Sequence, residues 1–310
     1  MKQLLSLLQH TIYHGEDRPD RTGTGVISGF SRCIEFDLRD GFPLLTTKKV
    51  NYRAVFAELA GFIEGATSAA RFRQLGTKIW DQNANENESW LANPARNGVD
   101  DLGRVYGAQW RNWQGPRVQV NGYADATERM ALVGPHTGGW VATPNDKETY
   151  MSMEVDQLQN LIHFLKHDPY GRRHLVLAYN PAENGSMALP PCHILFQCYV
   201  SNDKELDMQV YMRSVDLFLG LPFNIASYAA LLHLIAKLCD YKPRHLTMAL
   251  GDYHIYKNHV AQVVEQISRK PMALPELTVA NISSLREVTP DTFQVHGYES
   301  HPVIKAPMAV

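Results

Sequence analysis

Cysteine is scarce in this chain, which has four in 310 residues, at Cys33, Cys192, Cys198 and Cys239. No two of them form a C-x-x-C pair, and their spacing matches no metal-binding pattern. A long chain with so little cysteine is typical of a reducing compartment. We therefore expect free thiols, no metal site and a cytoplasmic location.

A basic excess and a targeting signal are lacking too. The formal net charge is -2 and the isoelectric point is about 6.7, whereas a generic nucleic-acid binder usually has a surplus of lysine and arginine. The short apolar run in MKQLLSLLQH precedes no small-residue cleavage site, and we expect no apolar stretch to approach membrane-spanning length. We expect no membrane partner and no obligatory nucleic-acid partner. A small anionic ligand fits this composition, because a few arginines in one pocket can bind it.

Helical and strand patterns alternate along the whole chain. Helical spacing of apolar residues occurs in residues 4–12, 50–64, 153–167 and 255–268. Short β-rich runs occur in residues 26–38, 174–180, 193–200, 207–213, 245–251 and 276–282. Residues 222–239 are apolar nearly all round, which predicts a buried central helix.

The remaining segments contain no second periodic unit. Residues 81–113 are polar and loop-like, and residues 114–150 are rich in Gly, Pro, Thr and Asn, as a surface insertion would be. Hydrophobic residues make up 45 % of the chain, enough for one large core or two modest ones. The economical prediction is one α+β domain over residues 1–310, with a surface insertion at about 114–150.

Two of the β-rich runs alternate between polar and apolar side chains. Their odd positions hold Leu195, Tyr199 and Tyr211 and four strongly polar residues: His193, Gln197, Gln209 and Arg213. Their even positions hold apolar residues: Ile194, Phe196, Val210 and Met212. Because strand side chains alternate between faces, the polar set is expected to line one cleft and the apolar set to face the core. An ordinary solvent face would show the same alternation, so both alternatives stay open at this point.

Cys192 lies in the stretch LPPCH, where two prolines precede a cysteine that opens a strand. A reactive cysteine needs a nearby cation or hydrogen-bond donor to lower its pKa, whereas a structural cysteine simply packs in the core. Five residues alone favour the structural alternative. A zinc deaminase signature would require P-C-x-x-C, but the next cysteine is Cys198, so that function is rejected.

Two further stretches concentrate polar groups beside apolar elements. RSVDLFLGLPFN (213–224) places Asp216 and Asn224 at the start of the predicted buried helix, where burial is costly without partners. Asp216 is also a plausible helix cap, and Asn224 a group that satisfies the backbone. GDYHIYKNH (251–259) crowds polar rings between a strand and a helix, where each ring is also a candidate capping device.

These three stretches, in this order, resemble the thymidylate synthase family. Further matching stretches are RTGTG (21–25), FPLLTTKK (42–49), VYG and QW (105–110), RR (172–173) and the segment from GY to the last residue (297–310). The resemblance runs from the first helix to the last residue and leaves out only residues 114–150. It implies an α+β fold in which a large mixed β-sheet is packed by helices and forms the interface of a homodimer.

The resemblance also implies covalent catalysis. Cys192 would add to C6 of the uracil ring of deoxyuridylate (dUMP), and Arg213 beside its sulfur would favour the thiolate. Glu58 matches a carboxylate that moves protons through water, and its apolar neighbours make a raised pKa reasonable. Tyr106 matches a residue implicated in removing the C5 proton. Catalytic roles are thus implied for Cys192, Glu58, Tyr106, His193, Arg213, Asp216 and Asn224.

The positions that bind dUMP in the family are matched by Arg21, Arg172, Arg173, Gln197, Arg213, Ser214, Asn224, His254 and Tyr256. Arg172 and Arg173 match a pair that reaches across from the other subunit, and several guanidinium groups suit one phosphate. The Asn224 amide offers a donor and an acceptor, which suits uracil rather than cytosine. His254 and Tyr256 match the pair that holds the ribose.

The co-substrate implied by the resemblance is 5,10-methylenetetrahydrofolate, with no metal. The matched folate positions are Lys48, Ile79, Trp80, Asp216, Leu219, Gly220, Phe223 and Val310. Aromatic residues among them supply stacking area for a pterin ring. The carboxylate of Val310 implies a C-terminal tail that closes over the bound ligands.

The sequence departs from many family members at a few positions. Asn83 stands where a second tryptophan is common, Tyr179 where tryptophan is common, and Tyr253 where a small residue is common. A related activity, dUMP hydroxymethylation, shares the fold and the early steps but ends with water, and it is associated with phages, so the location would then be the host cytoplasm. A catalytically inactive nucleotide-binding regulator is a third alternative, which the complete set of reactive residues disfavours.

Overall fold

The computed structural model describes the backbone of residues 1–120, 139–144 and 149–308, and the side chains of residues 1–115 and 153–308. The helices are α1 (Lys2–His14), α2 (Tyr52–Glu64), α3 (Ala69–Leu75), α4 (Asp81–Asn85), α5 (Glu88–Leu91), α6 (Tyr106–Arg111), α7 (Gln157–His167), α8 (Gly220–Cys239) and α9 (Val260–Ser268). The strands are β1 (Glu16–Arg18), β2 (Val26–Asp37), β3 (Trp113–Val120), β4 (Gly139–Pro144), β5 (Thr149–Val155), β6 (Leu175–Leu177), β7 (His193–Val200), β8 (Glu205–Asp216), β9 (Lys242–Tyr256), β10 (Glu276–Val279) and β11 (Phe293–His296).

The largest sheet has six strands in the order β1-β2-β9-β8-β7-β6. It is mixed, because β8 and β9 run parallel whereas its other neighbouring strands run antiparallel. One face of β8 is buried against helices through Met208, Val210 and Met212, while Gln209 on the opposite face is exposed. The α+β prediction with a large mixed sheet packed by helices is therefore confirmed.

Helix α8 is the buried central element that the apolar run at residues 222–239 predicts. It has 20 residues and a mean hydropathy of 1.3, and 72 % of its most apolar stretch is buried inside the protein. By length and composition it meets the test for a membrane-spanning helix, the one helix in the described part of the chain that does. The expectation that no apolar stretch is long enough was therefore wrong, although such burial is what a core helix shows.

Helix α2 carries Glu58 toward the interior of the protein. Asn51 caps its first turn by accepting a hydrogen bond from the backbone N–H of Ala54. Gly65 ends the helix with a φ of 84°, a conformation that glycine adopts without strain. The periodic apolar residues of this helix predicted both its type and its buried face.

The predicted loop at residues 81–113 was wrong in part, because it contains α4, α5 and α6. These helices have only four to six residues, too few for a helical period to show in the sequence. Local contacts hold them instead. Asn87 caps α5, and the indole N–H of the buried Trp90 donates to the carbonyl of Asp101 at 2.7 Å.

Two predicted helices begin later than their apolar patterns suggest. Helix α7 starts at Gln157, where Asp156 caps it, because residues 149–155 belong to β5. Helix α9 starts at Val260, because β9 continues through Tyr256. Strands β3, β5 and β4 form a separate sheet within and beside residues 114–150. Residues 121–138 and 145–148 lie outside the described part, so the surface insertion stays a prediction.

Gly29 and Tyr253 pair across β2 and β9, and the Tyr253 ring covers the glycine. A Cβ atom at position 29 would lie 2.4 Å from Oη and 2.5 Å from Cζ of Tyr253. We expect Gly29→Ala to destabilise the protein by about 1–3 kcal/mol, because the buried ring must move. Urea denaturation measures this loss.

The control is Gly185→Ala, since nothing lies within 4 Å of a Cβ at that position. In a Tyr253→Ala background, Gly29→Ala should cost much less than in the wild type. An equal cost in both backgrounds would show that the tyrosine ring is not the cause.

Candidate active site

A cavity of about 490 Å³ lies between α2, α8 and the ends of β7, β8 and β9. It brings together most of the residues that the sequence nominated. These are Glu58, Ile79, Trp80, Tyr106, Cys192, His193, Ser214, Asp216, Leu219, Gly220, Phe223, Asn224, His254 and Tyr256. Residues from six helices and strands, far apart in the chain, thus line one space.

Cys192 lies immediately before β7 and lines the cavity as a free thiol. Its backbone N–H donates to the hydroxyl of Tyr106 at 2.8 Å. The Arg213 guanidinium lies 3.9 Å from its sulfur and donates to the carbonyls of Pro190 and Pro191 at 3.0 and 2.8 Å. The two prolines thus place both the sulfur and the cation beside it.

Burial and charge act on the Cys192 thiol in opposite directions. Burial raises its pKa, while the Arg213 charge and the contact with Tyr106 lower it. The net pKa lies above the ordinary value, so the thiol is protonated at rest. The predicted action of Arg213 on the thiolate is present, but burial outweighs it.

Glu58 is a half-buried residue of α2 that lines the cavity. The indole N–H of Trp80 donates to its Oε1 at 3.0 Å. Burial raises the pKa of Glu58 to about 7, although this hydrogen bond lowers it. The carboxyl can therefore hold or release a proton near neutral pH.

His193 is buried, and its ring stacks on Tyr106 with centroids 4.1 Å apart. Its Nδ1 lies 2.5 Å from the hydroxyl of Tyr228 on α8. Burial lowers the pKa of His193 to about 3, so its ring is neutral. Burial also raises the pKa of Tyr106 well above its ordinary value, which keeps that residue a phenol.

Asn224, His254, Tyr256 and Ser214 supply polar groups to the same cavity. No hydrogen bond engages the Asn224 side-chain amide in the described part of the chain, which leaves its donor and acceptor free for a ligand. His254 contacts Asp252 through Nδ1 at 3.1 Å, and its ring meets Tyr256 edge-on at 5.2 Å. Such groups can read a flat ring and a sugar together.

Asp216 and Lys48 flank the start of α8. Asp216 Oδ1 accepts hydrogen bonds from the backbone N–H groups of Phe218 and Leu219 at 2.8 and 3.2 Å, so it does cap the turn, while the side chain still lines the cavity. The Lys48 ammonium group donates to the backbone carbonyl of Phe218 at 2.6 Å, and its Nζ atom lies 3.3 Å from the centre of the Phe218 ring. Burial lowers the pKa of Lys48 to about 7, against the effect of Asp216.

A second cavity of about 660 Å³ adjoins the first and shares Leu219 and Phe223 with it. Its wall includes Lys48, Lys49 and Arg53. The combined space offers apolar and aromatic walls near Cys192 and cationic groups farther out. This arrangement suits a long ligand with a flat ring at one end and negative charge at the other.

Gln197 is not brought to the cavity, which corrects the prediction of a single cleft. A register irregularity between His193 and Leu195 turns His193 inward, so strict alternation fails along β7. Gln197 and Gln209 instead line a shallow cavity on the open face of the sheet. Of the predicted core-facing set, Phe196, Val210 and Met212 are buried, whereas Ile194 is half-buried.

Three predicted arginines are exposed in this single chain: Arg21, Arg172 and Arg173. Arg21 is near enough to Tyr256 to lower its pKa, although burial raises that pKa overall. Its loop is held by Asp20, which accepts hydrogen bonds from Thr22 and Gly25. Arg172 and Arg173 line neither the two adjoining cavities nor the cavity on the open face of the sheet. Val310 lies outside the described residues, but Met308 of the same tail lines the cavity.

Several wall residues were not nominated from the sequence as binding positions: Phe62, Asn83, Leu189, Met212, Val215 and Met308. Most are apolar and look like ordinary core residues, so no sequence signal separated them. Tyr228 was missed as well, because it lies in an apolar helix and its contact with His193 depends on the fold.

Comparison with known proteins gives full-length matches. The family model described as thymidylate synthase matches residues 2–310. A thymidylate synthase of Pseudomonas syringae pathovar tomato is 39 % identical over 325 aligned positions, and one of Bordetella parapertussis is 40 % identical over 328. A thymidylate synthase of Pseudomonas putida is 38 % identical over 329 positions. Each alignment covers 100 % of both chains.

The matching segment includes every cavity residue named above. The resemblance inferred from the motifs is therefore confirmed over the whole length of the chain. This protein belongs to the thymidylate synthase family.

Proposed function

We propose that this protein is a thymidylate synthase, a cytoplasmic one-carbon transferase that converts dUMP to dTMP with 5,10-methylenetetrahydrofolate. The observation that carries the proposal is the free thiol of Cys192, 3.9 Å from Arg213, in a cavity where the Asn224 amide has no hydrogen-bond partner among the described residues. The names of the full-length relatives support the same reaction. The whole chain would act as one catalytic domain.

Cys192 is assigned the role of nucleophile. Its sulfur forms a bond to C6 of the uracil ring, its proton leaves, and the C5=C6 electron pair moves toward C5 and O4. This addition turns an unreactive ring carbon into a nucleophile, which is the advantage of covalent catalysis. Arg213 stabilises the thiolate at the moment of attack, and Tyr106 holds the Cys192 backbone in place.

Asn224 is assigned the reading of the pyrimidine. Its amide can donate to O4 and accept from N3–H of uracil, whereas cytosine presents the opposite pattern at these atoms. His254 and Tyr256 would hold the ribose, and Arg21, Arg213 and Ser214 the phosphate. An amide with no partner among the described residues is suited to this task, because binding displaces no internal hydrogen bond.

Glu58 and Tyr106 are assigned the proton transfers. A carboxyl with a pKa of about 7 can give a proton to O4 through water and take it back. Tyr106 is a poor base itself because burial raises its pKa. Its hydroxyl would instead position the water that removes the proton from C5.

The two adjoining cavities fit a reduced folate. Ile79, Trp80, Leu219 and Phe223 give a largely apolar wall for a pterin, with Asp216 at its edge. Lys48, Lys49 and Arg53 would meet the acidic tail. When bound, the folate supplies the methylene group and the hydride that together become the methyl group. The residues of this chain exclude water from that space, and the tail that carries Met308 contributes to the closure.

We also propose that the active species is a homodimer formed through the open face of the sheet. That face holds Gln197, Gln209 and Tyr199, and Tyr199 is 63 % exposed in the single chain. Arg172 and Arg173 would then complete the phosphate site of the other subunit. Both arginines are exposed and line none of the cavities named above, as a site shared between subunits requires.

dUMP hydroxymethylation is a second candidate, favoured by one observation. Asn83 lines the cavity where a tryptophan is common in the family, and a polar side chain there can hold water near the reacting carbon. Water would then add to the methylene carbon on C5, leaving 5-hydroxymethyl-dUMP and tetrahydrofolate. The full-length relatives favour the synthase.

We expect dUMP and methylenetetrahydrofolate to give dTMP and dihydrofolate, followed by absorbance of dihydrofolate and by chromatography of the nucleotide. Cys192→Ala should reduce turnover more than about 10³-fold, because the nucleophile is lost, while dUMP still binds. Cys198→Ala, at a buried cysteine of β7 outside the cavity wall, is the control and should keep activity. Tetrahydrofolate with hydroxymethyl-dUMP as products would instead establish the second candidate.

Glu58→Gln should stabilise the folded protein at high pH. The folded-state pKa of about 7 exceeds the ordinary value of 4.5, so the folded state binds the extra proton and stability falls as pH rises between these values. Above pH 7 the buried charge costs about 3 kcal/mol, which glutamine does not incur. By pH 5.5 the advantage of the variant should shrink by about 2 kcal/mol.

Urea denaturation at pH 8.5 and pH 5.5 measures this difference. Glu88→Gln is the control, because Glu88 is exposed and its substitution should leave the pH dependence unchanged. A Glu58→Gln variant whose advantage is the same at both pH values would contradict the raised pKa.

Mixed dimers test the shared site. Cys192→Ala and Arg172→Ala are each expected to be nearly inactive alone, but after denaturation and refolding together they should recover roughly a quarter of wild-type activity. The reason is that half of the dimers are mixed, and each mixed dimer has one intact site. The control replaces Arg172→Ala with Arg286→Ala in the same experiment. Arg286 is exposed, and the Arg286→Ala variant should be active by itself. No recovery with Arg172→Ala would place that arginine in its own subunit's site.

A further inference from the structure

Tyr228 contacts His193 behind the wall of the active-site cavity. Tyr228 lies on α8 and is 2 % exposed, and its ring meets the His193 ring edge-on at 5.2 Å. The hydroxyl lies 2.5 Å from Nδ1 of His193, a short hydrogen bond between two buried groups. Within the described part of the chain, this is the one polar contact of that hydroxyl.

This contact determines which nitrogen of His193 carries the proton. Tyr228 stays protonated, because burial and the nearby Glu58 raise its pKa. Its O–H needs an acceptor, and Nδ1 is the acceptor within reach. If Nδ1 were protonated instead, the buried O–H of Tyr228 would have no partner, which costs about 1–3 kcal/mol. Tyr228 therefore donates to Nδ1, and the proton of the neutral ring lies on Nε2.

The Nε2 atom of His193 faces the cavity. The ring lines that space, and Nε2 has no protein partner among the described residues. Nε2 is not among the solvent-inaccessible side-chain atoms that lack a hydrogen-bond partner. Since it has no partner, it must be accessible from the cavity. An N–H group at this position points a hydrogen-bond donor at whatever the cavity holds.

We propose that Tyr228 is a positioning residue that locks His193 in the Nε2–H tautomer, so that His193 presents a fixed hydrogen-bond donor to an oxygen of the bound pyrimidine or to a water on that oxygen. The proposal rests on the proposed function only for the identity of the acceptor. The tautomer itself follows from the contact between the two side chains.

The donor is also held in a fixed orientation relative to the nucleophile. The His193 ring stacks on Tyr106 at an interplanar angle of 22°, and the Tyr106 hydroxyl accepts from the backbone of Cys192. Tyr228 fixes one edge of the imidazole and Tyr106 fixes its face. A neutral donor that cannot rotate stabilises developing negative charge on an oxygen without reorganisation.

Nitrogen NMR of protein labelled with 15N-histidine tests the tautomer without any activity measurement. The chain has 13 histidines, and comparison with His193→Gln identifies the signals of His193. We expect a pyridine-like shift for Nδ1 and a pyrrole-like shift for Nε2 in the wild-type protein. A proton on Nδ1 in the wild type would overturn the proposal, whether or not the protein converts dUMP.

Tyr228→Phe tests the effect of the lock. Removal of the hydroxyl should allow both tautomers to appear in the NMR spectrum and should lower kcat about tenfold, with KM for dUMP changed less than twofold. Tyr241→Phe is the matched control, because it removes another phenol that donates at 2.5 Å, there to the carbonyl of Leu165. A single Nε2–H tautomer with unchanged kcat in Tyr228→Phe would reject the role of Tyr228, and the wild-type spectrum decides the tautomer even if that variant does not fold.

Discussion

The sulfur of Cys192 lies where burial and a guanidinium charge oppose each other, and the rest of the site is arranged around this opposition. Burial keeps the thiol protonated at rest, and Arg213 lowers the free energy of the thiolate at 3.9 Å. A thiol that is protonated at rest is less easily oxidised than a thiolate. The approach of Arg213 is set by two backbone carbonyls, at Pro190 and Pro191. The prolines thus tune the reactivity of the residue that follows them.

The large sheet and the buried helix α8 hold this arrangement from two sides. Cys192 immediately precedes β7, β8 carries Arg213, and α8 carries Asn224 toward the cavity and Tyr228 behind it. Because α8 is packed on nearly all sides, the backbone that carries these two side chains cannot shift without disturbing the core. Rigid placement suits a site whose groups must meet one ring from several directions.

Long apolar patterns in the sequence predicted the two long helices that line the cavity, whereas the short helices had no such pattern. The apolar period of α2 and the all-round apolar run of α8 were sufficient, because both helices bury surfaces that are long enough for a pattern to appear. The helices α4 and α5 were taken for loop, because they depend on single anchors such as Trp90. The start of α7 was misplaced since β5 occupies the residues just before it.

The sequence by itself determined the family and predicted the candidate nucleophile and most of the cavity wall, because the motifs that carry them are long and occur in a fixed order. Only the tertiary structure decided which way each of those side chains points. The irregularity in β7 separates His193 from Gln197, although alternation places them together. The net pKa of Cys192 and the hydrogen bond from Tyr228 to His193 likewise depend on neighbours distant in the chain. The pKa of a group and its hydrogen-bond partners depend on all the atoms packed around it. The sequence alone does not show which atoms those are.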